Sequence, residues 1–463
     1  MRFVTFNFKF VICVLQFAFS LLFAAPVSAS DTWKAGVAKA KITPERLMWM
    51  SGYGARNKPA EGTSLDLWAK ALVLEDPRGH RAALVTLDLV GIARDLSQAV
   101  CDTLRQKHGL ERSQVMLAVS HTHCGPVVGR NLSAMYFLDR QQLQYVDDYA
   151  ARLEETLVGL VGEAIGRLAP CSLAWGNGQA TFAGNRRNNN EAEVPQRRAE
   201  GRLVGPVDYD VPVLAVRDDR RRLVAVLFGY ACHATVLNDY QWSGDYPGYA
   251  QRALEASRPD MTALFWAGCG ADQNPVPRQK QAYAEEYGRQ LAAAVERVLA
   301  GVMPPVEGEL ATSYREIALP YAQLPTHEDL VRQTESSNKY EAQRGRILLA
   351  QVDAGRPLSP TYPYPVQCWR LGRDVRLIAL GGEVVVDYAL RLKAELGRER
   401  TWVAGYTNDV MAYIPSRRVL AEGGYEGGGA MVYYGLPTVW SPEVEELIVR
   451  EVQAQAANEQ ASH

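Results

Sequence analysis

Short apolar runs typical of β-strands alternate with amphipathic segments typical of α-helices, and this alternation constrains the fold most strongly. Several runs are apolar on both faces, as in a sheet that is buried on both sides. The pattern predicts an α/β fold with a central mixed β-sheet flanked by helices, in a single large domain. The predicted strands are 69–74, 81–88, 115–120, 173–176, 211–216, 223–230, 262–267 and 375–380. The predicted helices are 96–108, 145–167, 246–258, 279–300 and 384–395.

The remaining segments fit the same single domain, which we expect to span residues 30–450. Residues 301–363 are polar and rich in proline. They are predicted to form an excursion within the domain, with one helix over 327–354. The last residues, 451–463, are rich in Ala, Gln and Glu and are predicted to end a helix and fray.

The composition excludes several classes of protein. With 47% hydrophobic residues, 22% charged residues and a formal net charge of -2, the 463-residue chain is neither disordered nor a coiled coil. Nucleic-acid binding draws its affinity from clustered Lys and Arg, and no sustained basic run occurs here. We therefore expect no nucleic-acid partner.

The N-terminus has the pattern of a secretory signal peptide. Arg2 and Lys9 precede an apolar run over 10–25, and small residues follow up to Ala29. The run is shorter than the roughly 20 residues that a spanning helix needs. We therefore predict cleavage near Ala29, export to the periplasm or the extracellular space, and no transmembrane segment in the mature chain.

Three of the seven histidines of the chain lie where strands are predicted to end. His121 and His123 follow the strand at 115–120, and His233 follows the strand at 223–230. In open α/β sheets, ligands bind beyond the carboxyl ends of strands, and neutral imidazoles are zinc ligands. His121 and His123 could both bind a metal, or one could bind it while the other donates a proton. Alternatively, each histidine could simply bond backbone carbonyl groups.

Several motifs occur in an order that resembles the neutral, non-lysosomal ceramidases. The likeness extends from Ala35 to about Gly435, and the chain is identified as a divergent, shorter member of that family, matching its N-terminal catalytic domain. The motifs lie at residues 35–44, 50–53, 120–126, 185–186, 207–214, 233–249, 381–392, 408–413 and 425–428.

The resemblance implies a metal centre with one zinc ion per chain. Tyrosine is an unusual fourth zinc ligand, and Tyr406 is an alternative to Tyr413 in this role. The ligands carried over from the family are His121, His233, Glu383 and Tyr413.

The resemblance also implies roles in catalysis. It places His123 and Arg186 in the substrate pocket, where His123 would donate a proton to the leaving group and Arg186 or Tyr413 would stabilise the oxyanion. Where the family has a catalytic serine before proline, this chain has Asn274. An amide is not a nucleophile, although its NH₂ group could donate to an oxyanion.

These motifs predict an exported zinc-dependent hydrolase that cleaves an amide bond, N-acyl and ceramide-like, by metal-activated water. The substrate is expected to be a small or lipid-like molecule. Two alternatives stay open because the serine is absent. One is a zinc hydrolase of another small amide, ester or lactone, and the other is a secreted binding protein with a degenerate site.

Overall fold

The structure, a computed structural model, describes residues 32–461, and the predicted signal peptide lies outside them. Within this range the strands are β1 Trp33–Lys41, β2 Gly62–Thr63, β3 Trp68–Glu75, β4 Arg81–Leu87, β5 Val115–Val119, β6 Ala169–Gln179, β7 Ala183–Asn185, β8 Asp210–Asp218, β9 Leu223–Tyr230, β10 Gln241–Trp242, β11 Thr262–Ala267, β12 Gln273–Pro275, β13 Leu310–Pro320, β14 Thr361–Leu371, β15 Val375–Leu380, β16 Glu383–Val384, β17 Thr401–Ala404 and β18 Tyr413–Ile414.

The helices lie between these strands. In chain order they are α1 Arg94–His108, α2 Arg140–Gly166, α3 Val194–Ala199, α4 Asp245–Ser257, α5 Gln281–Ala300, α6 His327–Thr334, α7 Lys339–Asp353, α8 Val386–Leu396, α9 Arg417–Glu422, α10 Met431–Tyr434 and α11 Val444–Ala461. None of the helices between residues 32 and 461 is long and apolar enough to cross a membrane.

The central sheet has eight strands in the order β11-β9-β8-β6-β1-β3-β4-β5. The pairs β9–β11 and β4–β5 are parallel and the other neighbours are antiparallel, so the sheet is mixed. The edge strands β5 and β11 come within 8 Å of each other (Cα–Cα), which brings the chain segments after β5 and β9 together. The predicted α/β fold with a mixed sheet flanked by helices is confirmed.

A second sheet, β13-β14-β15-β17, packs against the first. The apolar layer between the two sheets includes Leu214 of β8, Trp369 of β14 and the pair Trp266 and Trp402, whose tilted rings have centroids 4.9 Å apart. Helices α2, α4 and α5 cover the outer face of the large sheet, and α8 and α11 cover the small sheet. Burial on both faces explains why these strands are continuous apolar runs.

The second sheet was only partly predicted, because two of its strands carry misleading signals. β13 is an edge strand with mostly half-exposed residues, and it belongs to the segment expected to be an excursion. β14 contains Pro363 and Pro365, which argue against a central strand. The Pro365 carbonyl accepts a hydrogen bond from the Gly381 N–H, on the side away from β13. The nitrogen of Pro365 faces the same side. The hydrogen bonds between β14 and β13 are therefore not weakened by its lack of an N–H group.

The single helix expected over 327–354 is wrong, because two helices occupy this segment. The break falls at residues 335–338, whose sequence is Glu-Ser-Ser-Asn. The Asn338 side chain accepts hydrogen bonds from the backbone N–H groups of Tyr340 and Glu341, and so caps the start of α7. A residue that caps a new helix disfavours a continuous one.

Candidate metal centre

His121 and His233 lie just beyond the ends of β5 and β9 and point the same nitrogen atom into the site. Nδ1 of His121 is 2.6 Å from the carbonyl oxygen of Val90, and Nδ1 of His233 is 2.8 Å from that of Gly270. Because a carbonyl oxygen only accepts, each Nδ1 carries the proton. Each Nε2 therefore presents a lone pair, as a metal-binding imidazole does when a second partner fixes its tautomer.

Glu383 and Tyr413 reach the site together because they are paired residues of the parallel strands β16 and β18. Oε2 of Glu383 lies 3.1 Å from Nε2 of His121 and 3.0 Å from Nε2 of His233. The Tyr413 hydroxyl lies 3.3 Å from Nε2 of His233. All four residues expected as ligands are thus in one buried cluster.

The contacts of Glu383 show that the cluster fits a cation. Oε2 of Glu383 is buried and has no hydrogen-bond donor among the described residues, since both neighbouring imidazole nitrogens present lone pairs. Three acceptor atoms that face one another repel unless a positive ion lies between them. Tetrahedral zinc ligands at about 2.0–2.2 Å from the metal lie about 3.3–3.6 Å apart, close to the separations observed here.

His123 adjoins the cluster with a different environment. Its Nε2 is 3.2 Å from Nε2 of His121. Each of the three histidines offers one nitrogen that could bind a metal, and these nitrogens lie within 4.8 Å of one another. The ring packs against Tyr53 with centroids 4.7 Å apart. Unlike the other two histidines, His123 has a buried Nδ1 without a hydrogen-bond partner among residues 32–461. No backbone carbonyl therefore fixes its tautomer.

Burial controls the charge of these groups. It lowers the pKa of His123 well below its ordinary value, and the neighbouring His121 and His233 lower it further. Burial, followed by the Arg186 guanidinium, lowers the pKa of His233 to about 4. Burial alone would raise the pKa of Glu383, but the positive charge of a protonated His121 or His233 would outweigh burial and hold that pKa well below its usual range. Neutral imidazoles at His123 and His233 beside the Glu383 carboxylate suit zinc.

Arg186 links the metal cluster to the loop that replaces the family's serine segment. Its Nη2 donates to the Tyr413 hydroxyl at 3.1 Å, its Nη1 to Oδ1 of Asn274 at 3.3 Å, and its Nε to Glu426 at 2.6 Å. The short strands β7 and β12 pair Asn274 with Gly184, which fixes this arrangement. With Oδ1 engaged by Arg186, the Asn274 amide nitrogen is left to donate elsewhere.

A cavity of about 700 Å³ opens onto this cluster. His123, His233, Arg186, Asn274 and Tyr413 all line it. The structure thus brings every predicted catalytic residue and two of the predicted ligands to the cavity wall, with His121 and Glu383 behind them.

Tyr406, the competing tyrosine, lies on the other side of His121. The two rings pack with centroids 4.5 Å apart, and both residues have positive φ, 60° at His121 and 54° at Tyr406. Left-handed backbone at non-glycine residues is strained and is concentrated at functional sites. The Tyr406 hydroxyl is buried without a hydrogen-bond partner in the described part of the chain. Tyr413 is better placed as a ligand, because its hydroxyl faces His233 and accepts from Arg186.

Two contributors were missed by sequence reasoning. The Tyr434 hydroxyl, on α10, donates to Oε1 of Glu383, which turns Oε2 toward the histidines. Glu426 lies in a single π-helical turn and binds both Arg186 and Arg187. One tyrosine among 22 carries no distinguishing signal, and Glu426 is recognisable only once the arginines are seen beside it.

Tyr434→Phe should weaken zinc binding by about 10–100-fold, the range for loss of a hydrogen bond that orients a ligand. The measurement is a zinc titration against a competing chelator, with circular dichroism to establish folding. Tyr433→Phe is the matched control, because that ring is half-buried and packs against Tyr340 and Tyr425 instead. Equal zinc affinity in Tyr434→Phe and the wild type would contradict the orienting role.

Comparison with known proteins gives a consistent relationship. The chain is similar to the neutral ceramidase of Pseudomonas aeruginosa, with 24% identity over 492 aligned residues that cover 90% of this chain and 71% of that protein. It is 26% identical to the neutral ceramidase of Drosophila melanogaster over 49% of this chain and 32% of that protein. The chain therefore spans most of the bacterial relative but matches only about a third of the insect one.

Solved structures show the same fold. The crystal structure of neutral ceramidase from Pseudomonas aeruginosa superposes with a TM-score of 0.69 at 21% identity, over 91% of this chain and 73% of that chain. A structure described as ceramidase complexed with C2 gives a TM-score of 0.68 at 19% identity. The sequence model described as neutral/alkaline non-lysosomal ceramidase, N-terminal, matches residues 33–310. The resemblance seen in the motifs is confirmed, and the chain belongs to the neutral/alkaline non-lysosomal ceramidase family.

Proposed function

We propose that this chain is a zinc-dependent hydrolase that cleaves the amide bond of an N-acyl, ceramide-like substrate. The observation that carries the proposal is that Nε2 of His121 and Nε2 of His233 both lie 3.0–3.1 Å from Oε2 of Glu383, behind an open cavity. The names of the relatives, all neutral ceramidases, support an amide substrate.

One zinc ion per chain would be held by His121, His233, Glu383 and Tyr413. When bound, it supplies the Lewis acidity that makes hydroxide available near neutral pH. Two imidazoles and a carboxylate with a fourth, exchangeable or weak ligand are typical of catalytic rather than structural zinc sites.

His123 is proposed to move the proton. It lines the cavity, its Nδ1 is not held by a backbone carbonyl, and its lowered pKa leaves the imidazole unprotonated and free to accept a proton. As water adds to the amide carbonyl carbon, His123 accepts the proton that the water loses. It then delivers this proton to the nitrogen as the C–N bond breaks, so that the amine leaves neutral.

Arg186, Tyr413 and Asn274 are proposed to stabilise the negative charge that develops on the carbonyl oxygen. The Arg186 guanidinium is fixed by Glu426 and already contacts both other side chains. Donors held in place before the reaction stabilise a transition state without reorganisation. No step requires the family's serine, because water is the nucleophile.

We also infer that the protein acts outside the cytoplasm after cleavage near Ala29, with residues 30–450 as its catalytic domain. The basic residues Arg2 and Lys9 before the apolar run at 10–25 support export.

The direct test is metal analysis joined to turnover on the purified full-length chain. We expect one zinc per chain and hydrolysis of N-acyl amides that stops when a chelator removes the metal and resumes when zinc is returned. Folded protein that binds no zinc and cleaves no amide or ester would favour a binding protein with a degenerate site. Cleavage of esters or lactones but not amides would favour a zinc hydrolase that acts on those substrates instead.

Asn274→Ala should lower kcat by roughly 10–10³, the range for loss of one oxyanion donor or less, with zinc content unchanged. Asn274→Asp is the matched variant, since it keeps an acceptor for Arg186 but removes the NH₂ group, and it should lose a similar factor. Pre-steady-state kinetics should show no burst. A trapped acyl-enzyme would contradict direct attack by water, and a normal rate in Asn274→Ala would place this loop outside the chemistry.

A further inference from the structure

Four aromatic rings form a row that leads from the metal cluster to the protein surface. Tyr425 lines the cavity and packs against Tyr413, with ring centroids 5.2 Å apart. The next ring is that of Tyr433, whose centroid is 6.2 Å from that of Tyr425. Tyr340 follows at 4.9 Å, and Phe137 lies a further 5.9 Å away. We call Tyr425, Tyr433, Tyr340 and Phe137 the aromatic row.

Packing within the protein accounts for only part of the aromatic row. The rings of Tyr340 and Tyr433 are half-buried and join α7 to α10. The two end rings differ, because Phe137 is 45% exposed and Tyr425 is 44% exposed. Contiguous apolar surface that stays in contact with water and adjoins a cavity is typical of a ligand-binding groove. The aromatic row therefore offers apolar surface to a ligand.

A cation lies at each end of the row. At the outer end, the Lys339 ammonium lies 5.2 Å from the ring centroid of Phe137 and 4.9 Å from that of Tyr340. At the inner end, the Arg186 guanidinium lies 5.6 Å from the ring centroid of Tyr425. A ligand that fits this order has a polar group beside Arg186 and an apolar chain along the rings, and that chain ends near Lys339.

The catalytic groups indicate which part of an amide would lie on the row. In the proposed reaction His123 delivers a proton to the amine, so the amine leaves from the His123 side. The carbonyl oxygen points toward Arg186 and Tyr413. Because the aromatic row begins at Tyr413, the group that can follow it is the acyl chain.

We propose that the aromatic row is a binding site for the acyl chain of a long-chain amide, outside the catalytic cavity and continuous with it. Methylene groups that leave water for the ring faces gain affinity in proportion to the apolar area they bury. The row therefore grades substrates by acyl-chain length. This proposal rests on the proposed amide hydrolase function and specifies how its substrate is recognised.

The test uses a series of straight-chain hydroxamates, from butanohydroxamate to hexadecanohydroxamate. The hydroxamate group chelates zinc in the place of the scissile amide, so each compound presents its acyl chain as the substrate would. Binding to the zinc-loaded full-length chain is measured by calorimetry, below the concentrations at which these compounds form micelles. We expect the longest compound to bind at least about a hundredfold more tightly than the shortest. Affinity that does not rise with chain length would overturn the proposal.

Substitutions along the row should act at different chain lengths. Tyr433→Ala, in the middle of the row, should weaken hexadecanohydroxamate binding about tenfold, and the loss should begin at intermediate lengths. Phe137→Ser, at the outer end, should weaken only the longest compounds. Tyr433→Phe keeps the ring and should keep the length dependence. Val302→Ser is the surface control, because Val302 is 99% exposed and lies outside the row.

The outcomes separate this proposal from the proposed function, because the rings do not depend on the metal. Length dependence in a chain that binds no zinc would support the acyl-chain site while contradicting the zinc hydrolase. A zinc-loaded, active enzyme that binds all the hydroxamates equally would contradict the acyl-chain site alone. Length dependence that is unchanged in both Tyr433→Ala and Phe137→Ser would show that the acyl chain lies elsewhere, and would also overturn the proposal.

Discussion

Replacing His121 or His233 with alanine is expected to abolish stoichiometric zinc binding and, with it, all amide hydrolysis. Each Nε2 faces the same carboxylate oxygen of Glu383, at 3.1 and 3.0 Å, and each ring is oriented by a backbone carbonyl. Loss of one of two imidazole ligands leaves too few strong donors for a zinc site. Because both residues follow strands rather than lie within them, the chain should stay folded.

Zinc content by mass spectrometry of native protein, with circular dichroism for folding, checks this expectation. His327→Ala is a suitable control, because that imidazole is largely exposed and pairs with Asp353 at 2.8 Å. Stoichiometric zinc retained in His121→Ala or His233→Ala would refute the ligand assignment. A variant that unfolds is replaced by His121→Asn or His233→Asn, which keep a polar side chain of similar size.

His123→Ala is expected to keep its zinc yet lose rate by about 10²–10⁴, the range for loss of a general acid or base. The expectation follows from the difference between its Nδ1, which has no carbonyl partner, and those of His121 and His233, which do. Rates are measured as kcat on an N-acyl amide. Substrates with better leaving groups need less proton donation, so an activated ester should be affected less than an amide.

The matched variant for His123 is His123→Gln, which keeps a side chain against Tyr53 but cannot shuttle a proton at neutral pH. It should be as slow as His123→Ala. Loss of zinc in either variant would mean that His123 is a ligand and that the three histidines act as one set.

The large sheet could be predicted because its strands are buried on both faces and are written as apolar runs such as 223–230 and 262–267. These two predictions match β9 and β11 residue for residue. The second sheet could not be predicted in full. β13 is half-exposed at an edge. β14 carries two prolines, and whether a proline disrupts a strand depends on which neighbouring strand its nitrogen faces, which only the structure shows.

The residues of the candidate site were likewise predictable from the sequence only in part. Scarce residue types at predicted strand ends pointed to His121, His123 and His233 from the sequence itself, whereas the division between ligands and proton donor came from the family resemblance. Glu383 and Tyr413 came only from the family resemblance, since their juxtaposition depends on a two-residue parallel pairing that has no local pattern. Tyr434 was missed for the same reason, because its role exists only in its contact with Glu383.

The position of the four donor residues also bears on how the chain folds. His121 and His233 extend from the large sheet, whereas Glu383 and Tyr413 follow strands of the small one, and Tyr413 and His233 are 180 positions apart in sequence. A metal ion held by all four would act as a cross-link between the two sheets. Binding only to the folded form at 1,000 times its dissociation constant, it would add about 4.1 kcal/mol of stability. The apo chain would open first between the two sheets. The supply of metal would then determine how long the protein resists heat and proteolysis.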